Sequence, residues 1–291
     1  MIDSKAATSP SQPLFGRKKR QSGYTLNYIV LIVLLIYALG PILVLGFNSL
    51  KDNGEIGRNP LGPPSALHFE NFPNAWTQGQ FGTTTYNSVK LVTGTVAAVL
   101  FLGGIAAYSL ARLNPPGQSV FMLYILGAST IPGWIGLVPL FFMFQSLGLT
   151  DTHTGLILIY TAGNAPLSVF LLRSYMLQIP RDFEDAARVD GANDLQILQK
   201  VILPLSWPGF LTVGLVVALG VWGEFQTALI FLQDPEQYPV AMSYWRFTGR
   251  FSRDWSLTSA AAVMMIAPVI VFFLALQRRF IDGLTQGGVK A

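Results

Sequence analysis

The stretch I-P-R-D-F-E-D-A-A-R-V-D-G-A-N-D-L-Q-I-L-Q-K-V-I-L-P-L-S-W-P, residues 179–208, decides how this chain is read. It belongs to a polar interval, 177–208, set between apolar runs at 155–176 and 209–232. Each run is long enough, as a helix rising ~1.5 Å per residue, to cross a hydrocarbon core of ~30 Å. The interval therefore lies at one membrane face, where Asp182, Glu184, Asp185, Asp190 and Asp194, with Arg181, Arg188 and Lys200, keep it in water.

Outward from it, four more apolar windows stand at 28–47, 86–111, 119–144 and 257–276. Six windows joined by polar connections describe an all-α membrane protein, one bundle of six transmembrane helices. The composition agrees: 51% hydrophobic, 12% charged and a mean hydropathy of +0.46, against roughly 25% charged in soluble domains. No cysteine is present, which excludes disulfides, thiolate metal sites and a cysteine nucleophile. His68 and His153 stand alone in polar connections, so no metal site is expected. No set of residues at triad or ligand spacing suggests a catalytic centre, and no G-x-x-x-x-G-K-[ST] loop is present to hydrolyse nucleotide.

Six crossings put both termini on one face. Lys51, Arg58, Lys90, Arg246, Arg250 and Arg253 fall on the other, leaving 13 of the 19 Lys and Arg on the face of the termini and of 177–208. By the positive-inside rule that face is cytoplasmic, although the arginines at 246, 250 and 253 pull against it. Residues 1–26 are then a cytoplasmic tail and 27–291 the transmembrane domain. The basic cluster Arg17, Lys18, Lys19 and Arg20 precedes an apolar run with no small-x-small cleavage site, as in an uncleaved first span. The connection 48–85, rich in Gly, Pro and Asn, is expected to be irregular, with at most one short helix around 70–76.

Within the decisive interval, Pro180 ends the preceding helix. Asp182 can cap a short helix carrying Glu184 and Asp185 in its first turn, where the dipole favours acids. Phe183, Ala186 and Ala187 share one face of it. Gly191 suits a left-handed stop, after which Asn193 or Asp194 can cap a second helix, 195–203, ending at Pro204. Such a hairpin is either a well-capped solvated loop or a docking element for a soluble partner.

The run E-D-A-A-R-V-D-G, nine residues, then V-I-L-P resembles the signature loop of the permease subunits of binding-protein-dependent ABC importers, E-A-A, three residues, Gly, nine residues, I-x-L-P. Asp185, Ala186, Ala187, Gly191, Val201, Leu203 and Pro204 take the pattern positions, with Asp185 for the glutamate and Val201 for the isoleucine. Read one residue earlier, Glu184 supplies the acid, so both remain candidates. N-F-P-N-A-W (71–76), N-S-V-K (87–90), A-Y-S-L-A-R (107–112), I-P (131–132), P-L (139–140), S-L-G-L-T-D-T (146–152) and F-I-D-G-L-T-Q-G-G-V-K-A (280–291) are similar to the carbohydrate branch, near the maltose-type permease.

The resemblance implies a type I importer bundle in the cytoplasmic membrane. Its partners would be a second, related permease, a dimer of ATPase subunits holding ATP and Mg, and an extracytoplasmic solute-binding protein that delivers a sugar. It carries no cofactor of its own. Phe183, Glu184, Asp185, Ala186, Ala187, Asp190, Gly191 and Pro204 would form the ATPase-coupling loop, and Gln286, Gly287 and Gly288 a contact at the C-terminus. Where that branch often has W-N-E, this chain has Trp222, Gly223 and Glu224.

Glu224 is the one acid well inside a span. Insertion scales put an unpaired acid at the centre at roughly 2.5–3.5 kcal/mol, so it either reaches the interface or lines a path. Asn164, Trp222 and Gln226, and more weakly Trp134, offer the aromatic and hydrogen-bonding groups a sugar requires. Gly and Pro within 129–139 can break the third span, as at transport sites. A self-contained secondary transporter or channel is the competing reading. It calls for intramembrane ionisable pairs, which the spans do not offer beyond Glu224.

Overall fold

The computed structural model describes residues 22–247 and 254–288, with side chains from 26 to 275 apart from residue 244. Every regular element among them is helical. The first, α1 (Ser22–Asn48), is apolar along its length and belongs, through Val44, to a unit of its own. The second unit begins at Leu45.

It opens with a compact connection pinned by a buried lysine. Lys51 is fully buried, and its Nζ donates to Asn48 Oδ1 (3.0 Å) and to the carbonyls of Asn59 and Gly62 (2.7 Å each). Two short helices lie here, α2 (Asn53–Arg58) and α3 (Asn71–Gln78), where one was expected. The glycines of N-G-E-I-G-R disguise α2, yet the Asp52 carboxylate accepts the Glu55 N–H (2.7 Å) and caps it.

Next comes α4 (Phe81–Tyr108), which continues through a π-helical turn, Ser109–Leu113. The third window is two helices, α5 (Gln118–Thr130) and α6 (Leu137–Ser146), bent by 84° around a 3-10 turn at Gly133–Gly136. Pro132 forces Ile131 into extended geometry (φ −78°, ψ 122°), which ends α5. Then α7 (His153–Leu177), capped by Thr152, leads into the polar hairpin: α8 (Asp182–Val189), α9 (Asp194–Ile197), a π turn at Leu198–Ile202, and α10 (Leu203–Leu205). A 73° bend at Ser206 starts α11 (Trp207–Gly223).

The fifth window, expected as one helix over 209–232, is interrupted: α11 stops at Gly223 and α12 (Gln226–Phe231) follows after two non-helical residues. α13 (Trp255–Gly288) completes the order. Among the described residues four helices are long and apolar enough to cross a membrane, six if each bent pair is one span.

The core lies between α4, α7 and α11. Leu91, Val99 and Ala107 of α4 meet Leu156, Leu172 and Met176 of α7 and Phe210, Val213 and Val217 of α11. Close approach of α11 to α7 requires Gly209, where a Cβ would lie 2.5 Å from Cγ of Tyr175. At the end remote from the hairpin, side chains staple the connections to the spans. Asn87 donates to the carbonyls of Glu236 and Tyr238 (2.7 and 3.1 Å), Ser88 Oγ accepts the Val240 N–H (2.8 Å), and Asp151 accepts the N–H groups of Gln233 and Asp234. Asn53 Oδ1 accepts the Trp255 and Ser256 N–H groups, capping α13.

Candidate functional site: the polar hairpin and the break in the fifth span

α7 ends at Leu177, just ahead of Pro180. Asp182 does not cap α8; Arg181 holds the N-cap position with no side-chain bond, because its backbone is already α-helical (φ −65°, ψ −23°). Asp182, Glu184 and Asp185 fall instead in the first turn, where exposed N–H groups and the dipole favour them. The C-terminal turn is as expected: Gly191 has φ +85°, and the Ala192 N–H donates to the Ala187 carbonyl (2.9 Å). Asn193, not Asp194, caps the second helix through a reciprocal box with Gln196 (2.9 Å each way). Asp194 instead accepts from Arg188 (2.6 Å).

The second helix does not end before Pro204. The π turn lets the Leu203 N–H donate to Leu198, five residues back, so the N–H that Pro204 lacks is absorbed by the changed register and the helix runs to Leu205. Pro204 itself is exposed within it.

The faces of α8 divide sharply. Glu184 is buried and Ala187 packs beside Ala192 against the core, while Phe183 (52% exposed), Asp185, Ala186, Val189 (88% exposed) and Asp190 point outward. Ala187 therefore leaves the face it was expected to share with Phe183 and Ala186. Phe183 also borders a cleft of about 280 Å³ with Tyr175, Ile179, Pro180, Leu205 and Pro208.

Glu184 turns inward to meet Arg112, the last residue of A-Y-S-L-A-R. Arg112 Nη1 lies 2.9 Å from Glu184 Oε1, with side-chain exposures of 2% and 8%. Its Nη2 donates to the carbonyls of Met176 and of Ile179 (2.8 Å), at the end of α7. One turn earlier, Tyr108 Oη donates to the Asp194 carbonyl (3.1 Å). Sequence reasoning missed Arg112 and Tyr108 as site residues; the signal was a lone base closing an apolar run.

The second constellation is the break between α11 and α12. Glu224 Oε1 accepts the Thr227 N–H (2.7 Å), and Oε2 accepts the Ala228 N–H (3.2 Å) and Tyr160 Oη–H (2.6 Å). The carboxylate thus supplies the first turn of α12 with the acceptors that the interrupted backbone withholds. Tyr160 was missed; it stands one turn before Asn164, whose Nδ2 donates to the Tyr160 carbonyl (2.8 Å).

Of the residues named for a substrate path, Glu224 meets the Tyr160 hydroxyl, while Asn164 bonds the Tyr160 backbone carbonyl within its own helix. Gln226 is exposed at the start of α12. Trp222 points elsewhere: its Nε1 donates to the Met265 carbonyl of α13 (3.1 Å), in the turn that Pro268 disturbs, and its ring borders an apolar cleft of about 240 Å³. Trp134 is 68% exposed at the corner between α5 and α6. Gln286, Gly287 and Gly288 end α13, their side chains outside the described residues; the arginines at 250 and 253, residues 1–21 and residues 289–291 lie wholly outside them.

Comparison with known proteins bears on both constellations. The family model described as "Binding-protein-dependent transport system inner membrane component" matches residues 99–286, which include the hairpin and the break. A sulfoquinovosyl glycerol transport system permease protein of Agrobacterium fabrum is 34% identical over 288 residues, 99% of each chain. A diacetylchitobiose uptake system permease protein of Streptomyces coelicolor is 33% identical over 264 residues, 90% of this chain and 87% of that one. Among solved structures, a chain of a bacterial ABC transporter involved in the import of the acidic polysaccharide alginate superposes with a TM-score of 0.79 at 26% identity, covering 92% of this chain and 100% of that one.

Proposed function

From the premise that this chain belongs to the family of binding-protein-dependent transport system inner membrane components, we propose that it is the pore-forming subunit of an ATP-driven importer for an oligosaccharide or related glycoside. It is a multi-pass membrane protein of ABC importer permease fold. The membrane is the cytoplasmic (inner) one, with the hairpin and both termini on the cytoplasmic side, as the basic residues suggest. A second related permease completes the pore, an extracytoplasmic solute-binding protein delivers the sugar, and a dimer of ATP-binding subunits holds ATP and Mg and hydrolyses the nucleotide.

The observation that carries this reading is the division of α8. A solvated loop has no reason to expose Phe183 and Val189 on one side while holding Glu184 in a buried ion pair on the other. An amphipathic helix seated in a groove of a soluble partner does. For the substrate, the polar groups at Tyr160 and Asn164 lie on α7, an unbroken helix that carries Pro166, and Glu224 lies at the break after Gly223, the kind of discontinuity found at transport sites.

Deletion of residues 181–191 tests the assignment: the complex purified from such a strain should lack the ATPase subunits and transport nothing. Assembly with coupled uptake would overturn it. The permease reconstituted without its partners should likewise transport no sugar down or against an ion gradient.

A further inference from the structure

Arg112 stands where three elements end: it is in the π turn that closes α4, its Nη2 holds the two carbonyls that end α7, and its Nη1 meets Glu184 of α8. Arg173 of α7 reaches back, its Nε donating to the Leu110 carbonyl (3.2 Å), and Gln118 Nε2 donates to the same oxygen (2.7 Å). A π turn leaves carbonyls out of the helical ladder, which is how Leu110 comes to accept two side-chain donors. Among the described residues, Arg112–Glu184 is the one ion pair in which both side chains are buried.

A pair buried in this way adds little net stability over apolar side chains of similar volume, so its presence calls for another use. The geometry points to Arg112 as a positioning residue of transport: displacement of α8 is delivered through Glu184 and Arg112 to the ends of α4 and α7, which carry it into the core. This rests on the reading of α8 as the helix seated on the ATPase. Three features support it. The planar guanidinium fork can hold the carboxylate and the α7 carbonyls at once, which a lysine cannot. Arg112 Nε and Glu184 Oε1 have no hydrogen-bond partner among the described residues, so charge more than a full set of hydrogen bonds joins the two side chains. And α4 packs against both α7 and α11, so its end is the place from which a movement spreads.

The chain has no cysteine, so thiol spin labels can be placed singly and in pairs. Labels at Arg188, exposed on the flank of α8 beside the docking face, and at Leu113, exposed at the end of α4, in the complete importer with its binding protein should keep one separation in the nucleotide-free and ATP-bound states. A separation that changes between those states overturns the proposal. In Glu184→Gln the separation should become state-dependent, and sugar moved per ATP hydrolysed should fall by about tenfold, within the span of ordinary site-to-site coupling. Arg112→Lys should do the same, and the exchange Arg112→Glu with Glu184→Arg should restore part of the ratio.

Variants that merely misfold would lower the amount of complex and leave the ratio of the survivors at the wild-type value, which also overturns the proposal. Failure of the underlying reading looks different. In that case Phe183→Asp, on the outward face, would leave the ATPase subunits bound.

Discussion

At the hairpin a carboxylate withdrawn from water meets a guanidinium; at the break in the fifth span another meets only a phenol and two backbone N–H groups. The difference follows from place. Glu184 lies where spans end, so a cation whose stem belongs to α4 can reach it without crossing hydrocarbon. Glu224 lies between α11 and α12, in an apolar stretch of sequence just past the end of a bent helix pair apolar enough to cross a membrane. A counter-ion there would itself have to be desolvated. Neutral donors avoid that second cost, and the interrupted helix provides them. One site therefore has a charge-coupled joint and the other a capped hinge.

Removing a partner at the joint should have the largest effect. Arg112→Ala leaves Glu184 buried without its cation and takes a donor from the Ile179 carbonyl, and the expected loss is about 3–5 kcal/mol. Thermal unfolding of the purified complex in detergent measures it. Replacing both partners with leucine should recover much of that stability, because the uncompensated charge goes with its mate. If Arg112→Ala unfolds with the wild-type midpoint, the contrast between the two sites is void.

The hinge should respond more mildly. Tyr160→Phe removes one hydrogen bond to the carboxylate, worth about 1.5–3 kcal/mol. Glu224→Gln keeps an acceptor for the α12 N–H groups and should cost less than Tyr160→Phe in the same unfolding experiment. The reverse order would mean that charge at 224 is itself needed, and would move Glu224 from the capped hinge toward a binding role.

The two acids of the signature loop sharpen the joint further. Asp185→Asn, at an exposed position, should change stability by no more than about 0.5 kcal/mol, whereas Glu184→Gln unfolds measurably earlier. Asp185→Asn should instead weaken recovery of the ATPase subunits with the permease on co-purification. Equal effects of the two substitutions on stability would undo the division of labour.

Much of this was legible in the sequence. Pro132 and its neighbouring glycines announced the corner between α5 and α6, and Gly191 announced the turn after α8. The span edges were less so: α4 begins at Phe81, ahead of the apolar window at 86–111, in a first turn whose polar Thr84 bonds Ser243 and which hydropathy does not register. Glu224 was visible as an acid inside an apolar run, but nothing in periodicity says that α11 stops beside it. Its role depends on Tyr160, 64 positions away. Glu184 and Asp185 were indistinguishable because only the rotation of α8 against α4 decides which of two adjacent acids turns inward. A-Y-S-L-A-R carried the answer in Tyr108 and Arg112, but pairing across 72 positions has no local signature.

On the opposite face of the bundle a third arrangement completes the comparison, with both partners in water. His68 Nδ1 lies 2.6 Å from Glu70 Oε1, and its Nε2 lies 3.8 Å from Asp52 Oδ2. The hydrogen bond to Glu70, reinforced by the charges of Glu70 and Asp52, raises the His68 pKa above its ordinary value. The sign then follows from linkage. With the folded value above the unfolded one, the stabilising contribution is complete below about pH 6.5, the ordinary histidine value, and is lost as pH rises through the raised one. Exposure and screening keep it small. Titrating the His68 ring by NMR should give a midpoint above the ordinary value, and Glu70→Gln should bring it back down. A midpoint unaffected by that substitution would mean that Glu70 does not engage the ring in solution. Salt should shift this midpoint far more than it shifts the effect of Arg112→Ala, because screening reaches the exposed pair and not the buried one.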